Sequence, residues 1–358
     1  MSTAIPSAVD ELTPEWFGEV LHAPVHTVDV LDAHSGTTGR ARVALTGSPE
    51  LPRTVFVKLQ PFAEQQRKFL RMVGLGVAEA RFYATVGNDL PVRSPRVWHA
   101  QYEPSDGAFV MVLEDLTASG VSFPTPADND ILDVATSATD ELATLHHTFR
   151  GRDLTWLTTP PGMRRAPKDS EVAAQRTRFI EMALAQFGDE MGPAFRTLAQ
   201  LYIDRAGEIM ALFRDFGDDE HTLIHGDTHS GNLFVDHGRT GFYDWAVAGR
   251  GPGMRDVAYF LCNSLPTDLR RGHEDDLLTR YRSARAAAGS ALDTAVAHQQ
   301  YRLFAVYSWI AAVSTAAMGS SWQPFDIAHA AMLLTTRAIE DLDAIGLLQE
   351  QLGISEPV

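Results

Sequence analysis

Between Thr54 and Leu59 the chain reads TVFVKL, with Val55, Val57 and Leu59 alternating against Thr54, Phe56 and Lys58. That is the period of a strand with one buried face. Val25 to Leu31 and Arg40 to Leu45 read as two further strands, with Gly47, Ser48, Pro49 and Pro52 supplying the turn before Thr54. Ahead of them Val9 to Leu21 predicts a short helix with Trp16, Phe17 and Val20 on one face. A helical segment from about Ala63 breaks at Gly74 and Gly76 and resumes from Val77 to Val86. Strand-like runs from Arg96 to Tyr102 and Ala108 to Leu113 then lead to Glu114-Asp115-Leu116, after which TASGVSFPTP marks a change of composition. Helical periods follow over Asp130–Phe149, Glu171–Phe187, Pro193–Phe216, Asp275–Ala288 and Ala295–Met318. The pattern predicts an α+β fold in two parts, with a small lobe over residues 1–116 and a larger, mainly helical lobe over 117–358. Two polar clusters interrupt the helical part: HGDTHSGNLFV within Leu223 to Val235, and GFYDW over Gly241 to Trp245. Polar loops set between short apolar runs are how a catalytic loop held by a β-hairpin would look.

Composition narrows this picture. A chain of 358 residues exceeds what one hydrophobic core fills, and 45% hydrophobic residues supply material for two. The net charge of −16 repels phosphate backbones and anionic lipid surfaces, which argues against a nucleic-acid or membrane partner. Cys262 is the single cysteine, and the opening MSTAIPSAVDEL has neither the basic nor the apolar region of a signal peptide. The cytosol is the expected compartment. The longest apolar stretch, Leu303 to Met318, is shorter than the roughly 20 residues of a membrane span and predicts a buried helix.

The polar clusters carry the chemistry. Asp227 lies five positions before Asn232, which lies twelve before Asp244, so two adjacent loops present three oxygen-bearing side chains. Such hard donors suit Mg²⁺, which binds through one or two carboxylates plus substrate phosphates. One carboxylate then remains to face a nucleophile. In the first lobe Lys58 ends an alternating strand on the face opposite Val55 and Val57. Glu79 shares a helix face with Phe82 and Tyr83, which must pack inward, so its carboxylate wants a cation, and Lys58 is the candidate. The turn Ser35-Gly36-Thr37-Thr38-Gly39 between two strands offers amides and hydroxyls that suit phosphate groups. A lysine on a strand, a helix glutamate, and Asp-x₄-Asn followed by Asp are the parts phosphoryl transfer requires.

His225 to Asn232 (HGDTHSGN), Tyr243-Asp244-Trp245 and Arg255-Asp256-Val257-Ala258-Tyr259 resemble the aminoglycoside phosphotransferase and choline kinase superfamily of small-molecule kinases. LTPEWFGEVL, SGTTGR, EARFY, LEDL and DWAVAGRGPGMRDVAYFL are most similar to its ecdysteroid-kinase-like branch and bacterial relatives, from about Leu12 to about Ala330. The resemblance implies a bilobal, protein-kinase-like fold with an antiparallel sheet in the small lobe. It implies an ATP- and Mg²⁺-dependent enzyme that phosphorylates a hydroxyl of a small organic molecule, such as a natural product, an antibiotic or a sterol-like alcohol. By the same resemblance Asp227 orients and deprotonates the acceptor hydroxyl, Asn232 and Asp244 hold Mg²⁺, Lys58 binds the α/β-phosphates and Glu79 fixes Lys58. The Gly36, Thr37, Thr38, Gly39 turn covers the phosphates, and the carbonyl of Glu114 with the amide of Leu116 bonds adenine. The common family form is HGDLHPGN, so Thr228 and Ser230 are departures that shape the loop. Trp245 stands where protein kinases carry Phe, which argues against a protein substrate.

Blander readings stand beside these. Asp227 and Asn232 would also suit turn caps, and His225, Asp227 and His229 a zinc site. A catalytically silent nucleotide-binding module is the alternative for the whole chain. Asp256 reads as a structural tie between the metal loop and the next helix. Tyr301, Phe304, Tyr307, Trp309 and Trp322 suit either an acceptor pocket or a core, with Tyr301, Trp309 and Trp322 as the substrate-side candidates. Cys262 reads as a small buried hydrophobe.

Overall fold

The computed structural model describes residues 4–157, 171–216, 221–319 and 323–354. It forms two compact units. The first comprises Met1–Ser122, Thr155–Pro161 and Phe234–Ala248, and the second Phe123–Leu154, Gly162–Leu233 and Gly249–Val358.

In the first unit a 3₁₀ turn over Val9–Glu11 precedes helix α1 (Pro14–Leu21). The Thr13 hydroxyl accepts from the Trp16 amide, an N-cap that starts α1 afresh and divides the single helix the periodicity predicts. Strands β1 (Val25–Ser35), β2 (Gly39–Gly47) and β3 (Thr54–Leu59) lead to helices α2 (Glu64–Val73) and α3 (Leu75–Val86), then β4 (Val97–Glu103) and β5 (Ala108–Glu114). The sheet is antiparallel in the order β1-β2-β3-β5-β4. Trp16, Phe17 and Val20 of α1 pack with Val43, Val55, Val57, Val110 and Val112, which claims one face of the central strands. Only Gly74 separates α2 from α3: it turns left-handed at φ 74° and its amide caps Leu70. Gly76, where the sequence also suggests a break, is helical. A Cβ there would stand 2.1 Å from the Phe109 ring, so its glycine serves close packing.

Hairpin β7 (Leu233–Asp236) and β8 (Arg239–Phe242) turns through His237 at φ 50° and Gly238 at φ 78°. Two positive φ angles match the twist of the flanking strands. The hairpin is stitched into the first unit by bridges Ser122 to Val235 and Arg93 to Gly241, and by the Arg93 Nε to Asp236 Oδ2 bond of 2.7 Å. A single boundary near Leu116 therefore differs from the compact units, because these pairings draw a distant segment into the first.

The second unit contains α4 (Ile131–Phe149), α5 (Glu171–Met191), α6 (Pro193–Asp215), α8 (Thr267–Ala287), α9 (Thr294–Met318), α10 (Phe325–Asp341) and α11 (Ala344–Gln351) around α7 (Met254–Ser264). Strand β6 (His221–Ile224) pairs with β9 (Gly249–Pro252) beside them. Every residue of α7 is buried, and α9 carries fourteen buried residues, which makes these two helices the core. Among the described residues no helix is long and apolar enough to cross a membrane.

Candidate active site

In the first unit the site begins with the sheet. Val55 and Val57 turn toward α1, so Lys58 between Val57 and Leu59 turns to the other face, where α3 lies. Lys58 Nζ donates to Glu79 Oε2 at 2.5 Å and to Asp244 Oδ1 at 3.3 Å. One turn beyond Glu79, Phe82 stacks on Trp245 with centroids 4.6 Å apart and planes at 9°. The indole nitrogen of Trp245 donates to Ser94 Oγ and to the Phe242 carbonyl. Helix α3 thus fixes both the lysine and the residue after Asp244. Asp244 itself is left-handed, at φ 65° and ψ 63°, a conformation Asp tolerates better than most residues.

The electrostatics follow from burial. Burial pulls the Lys58 ammonium down, but the Asp244 and Glu79 carboxylates outweigh it and hold the group above the ordinary lysine value. Burial pushes the Glu79 carboxyl up to about 7; Lys58 draws it back only in part, and Asp244 adds to the rise. The connector is anchored by side chains. Arg42 grips both oxygens of Asp115, at 3.1 Å from Nε and 2.9 Å from Nη2. The Glu114 carboxylate accepts from Arg93, the Arg96 amide and Ser119. These contacts hold the backbone of Glu114 through Leu116 in place. In the turn, Gly39 lacks a side chain because a Cβ would stand 2.4 Å from the Gln60 carbonyl, whereas Gly36 faces open space and its amide bonds the Thr38 carbonyl.

In the second unit β6 delivers the chain into His225-Gly226-Asp227. The fully buried Asp256 carboxylate accepts from the His225 amide at 2.7 Å and the Gly226 amide at 2.8 Å. Thr228 Oγ1 donates to the Asp256 carbonyl, and the Ser230 amide to Ser264 Oγ. So Asp256 clamps the Asp227 loop, where the sequence suggested a tie to the metal loop. Glycine is needed at 226, where φ is 87°. Asn232 Nδ2 donates to Asp227 Oδ2 and to the Asp227 carbonyl, both at 2.9 Å, which makes its Oδ1 the end suited to a cation. The Asp227 amide donates to His225 Nδ1, so that ring nitrogen is occupied in supporting the loop. Among the described residues no group of three or more His, Cys, Asp and Glu is arranged for a metal.

One residue here, His146, carries no signal in the local sequence, and another, Tyr259, enters the sequence only as the end of the Arg255–Tyr259 motif with no role of its own. His146 on α4 lies 3.2 Å from Asp256 Oδ2 through Nε2 and 2.8 Å from the Tyr281 hydroxyl through Nδ1. Burial lowers its pKa more than Asp256 raises it, so the ring is neutral near pH 7, with Nε2–H assigned as donor to the carboxylate. Asp256 resists the upward push of burial through His146, His225 and the Gly226 amide, and its carboxyl stays below the usual range. Tyr259, one helical turn after Asp256, bonds Asp227 through its hydroxyl, and burial holds that phenol well above its ordinary value. Tyr307 lies beside it, with centroids 6.2 Å apart.

Of the substrate-side candidates, Tyr301 is buried with its hydroxyl on Glu274 at 2.8 Å, and Trp309 is buried with its indole nitrogen on Thr336 at 3.2 Å. Both are helix-packing residues with their polar tips satisfied; Trp322 lies outside the described residues. Cys262 is buried, and burial pushes its thiol up to about 12.

In the first unit the Asp244 carboxylate, the buried Lys58 ammonium and the buried hydroxyl of Thr38, which makes no hydrogen bond among the described residues, are a donor set that fits a divalent cation and a polyphosphate.

A methylthioribose kinase of Bacillus pumilus (strain SAFR-032) is 30% identical over 100 residues, 27% of this chain; the match spans 24% of that enzyme's length. The fold is similar to that of choline kinase from Cryptosporidium parvum Iowa II, with a TM-score of 0.55 at 12% identity over 97% of each chain. It is also similar to Plasmodium vivax ethanolamine kinase, with a TM-score of 0.52 at 12% identity over 87% of this chain and 81% of that one. The model of the phosphotransferase enzyme family matches residues 35–297, and the chain belongs to that family.

Proposed function

We propose that the protein transfers the γ-phosphate of ATP to a hydroxyl group of a small organic molecule. The observation that carries this reading is Asp227, a carboxylate steadied by Asn232 on a loop whose backbone is clamped by the buried Asp256. A base fixed in this way accepts the hydroxyl proton as the oxygen–phosphorus bond forms and ADP leaves. Asn232 and Asp244, the residues that match the family's metal-holding positions, would each offer an oxygen to Mg²⁺, which would supply neutralisation of the phosphate charge. Lys58 binds the α/β-phosphates and Glu79 keeps it extended toward them. The turn from Gly36 to Gly39 covers the phosphates, and the anchored connector presents the Glu114 carbonyl and the Leu116 amide to adenine.

On the acceptor side, Tyr259 and Tyr307 replace Tyr301 and Trp309 as the aromatic candidates, because the Tyr259 hydroxyl reaches Asp227. The choline, ethanolamine and methylthioribose kinases named above support a small polar or amphipathic alcohol as acceptor, with no nucleic-acid or membrane partner. An ATP-dependent reaction of this kind suits the cytosol. The motif likeness to the ecdysteroid-kinase-like branch points to a natural product or sterol-like alcohol within that class.

The reading is tested by incubating the protein with MgATP and a library of hydroxyl compounds, following ADP release and ³¹P resonances. A phosphomonoester formed in step with ADP is expected. Bound MgATP with no phosphomonoester from any acceptor would instead assign a silent nucleotide-binding module.

A further inference from the structure

Strand β2 places a second cation beside Lys58. In the β2–β3 register Arg40 stands directly opposite Lys58, so the two side chains leave the same face of the sheet as neighbours. Like charges facing each other across a ladder repel; Glu79 tempers Lys58, and Asp244 is the carboxylate the two cations share. Its Oδ1 lies 3.3 Å from Lys58 Nζ, and its Oδ2 lies 4.0 Å from Arg40 Nη2. The second distance is an ion pair at arm's length, too long for a hydrogen bond.

Arg42, two residues along the same strand, shows what a committed structural arginine looks like: its fork grips both oxygens of Asp115. Arg40 has no such partner, and its buried Nε makes no hydrogen bond among the described residues. Nor does the Thr38 hydroxyl, two residues upstream and 5% exposed. Desolvated donors without acceptors mark a place where an acceptor is missing. The Arg40 side chain is 34% exposed while that of Lys58 is 6% exposed, so the guanidinium is the part of the pair that opens to solvent.

We propose that Arg40 is a second phosphate-binding cation of this site, paired with Lys58, and that the Asp244 carboxylate holds their place until a polyphosphate takes it. The proposal rests on the nucleotide-using reading given above. A guanidinium cannot lose its charge in the accessible pH range, and its planar fork matches two phosphate oxygens at once. Were Asp244 to hold a divalent cation, Arg40 would lose the carboxylate it shares with Lys58, while Lys58 would keep Glu79. The oxygens of a nucleoside polyphosphate supply the replacement, with Thr38 Oγ1 as a further donor.

The test is calorimetric titration of the full chain with MgATP, MgADP and adenosine, for the wild type, Arg40→Gln and Arg40→Lys. Arg40→Gln is expected to weaken both nucleotides about 10- to 100-fold, the worth of a charge-assisted bond, and to leave adenosine unchanged. Arg40→Lys is expected to fall between, since charge remains without the fork. The ligand-free melting temperature of Arg40→Gln is expected to be unchanged or higher, because one of two facing cations is gone. Wild-type binding of MgATP with undiminished binding by Arg40→Gln would overturn this proposal alone. Equal weakening of adenosine and nucleotide, or a ligand-free melting temperature lowered in both variants, would reassign Arg40 to a structural role. A wild type that binds no MgATP would remove the phosphotransferase reading and this proposal with it.

Discussion

Around Lys58 two cations and two carboxylates meet on one face of a sheet, with Asp244 shared at 3.3 and 4.0 Å. Around Asp227 one carboxylate is steadied by an amide and a phenol, and the support beneath it is a second carboxylate bonded to two backbone amides and a neutral histidine. The first arrangement is made of ionic contacts that can be exchanged for those of a ligand. The second is made of backbone hydrogen bonds in a dry core, which fix geometry and resist exchange. On the proposed reading the first site binds a polyanion and the second aims a base, and they would differ in this way for a physical reason: one must release its contacts on binding and the other must keep them.

The largest effect expected from breaking this contrast is at Asp256. Replacing it by Ala removes the acceptor for the His225 and Gly226 amides and for His146, leaving buried donors unsatisfied. A loss of about 3–5 kcal/mol in urea unfolding is expected. Glu79→Gln, in the contrasting region, leaves a neutral partner for Lys58. It is expected to cost less than about 1.5 kcal/mol in unfolding yet to lower kcat/KM for ATP about 10-fold or more, since the lysine loses its fixing charge.

The two regions also titrate with opposite sign. Glu79 in the folded protein is raised from 4.5 to about 7, so it takes up a proton before the unfolded chain does. Its contribution to stability therefore grows as pH falls from about 7 toward 4.5, while kcat/KM for ATP falls over the same window; Glu79→Gln is expected to flatten that activity profile. His146 in the folded protein lies below its ordinary 6.5, so its contribution is full above 6.5 and is lost as pH falls below that value. Asp256, held below 3.8, adds a loss at still lower pH. His146→Gln is expected to lower stability by about 1–2 kcal/mol at pH 7.5 and to remove part of the decline toward pH 5.5, measured by thermal melting in matched buffers.

The Lys58 region was largely legible in the sequence, because strand alternation and helix spacing are local. TVFVK turns its lysine away from the valines, and EARFY puts Glu79 on the face of Phe82. Arg40 was not legible, since its role depends on a β2–β3 register that no local period sets. The Asp227 loop was legible as residues but not as a support. His146 sits 110 residues from Asp256 on a helix whose period marks only its apolar face. In helix α7 every residue is buried, Arg255, Asp256, Asn263 and Ser264 included, so polar positions there do not mark an exposed face. The aromatic residues of α9 carry no local mark separating core from pocket. Tyr301 and Trp309 are buried, with their polar tips on Glu274 and Thr336.

The most direct test of the account is Asp227→Asn, assayed side by side for phosphate transfer to an accepting alcohol and for MgATP binding. The Asn keeps an oxygen toward Asn232 but cannot take the hydroxyl proton. Transfer is expected to fall by about 10³-fold or more with MgATP affinity within about twofold of the wild type. Undiminished transfer by this variant would contradict the assignment of Asp227 as the base on which the phosphotransferase reading rests.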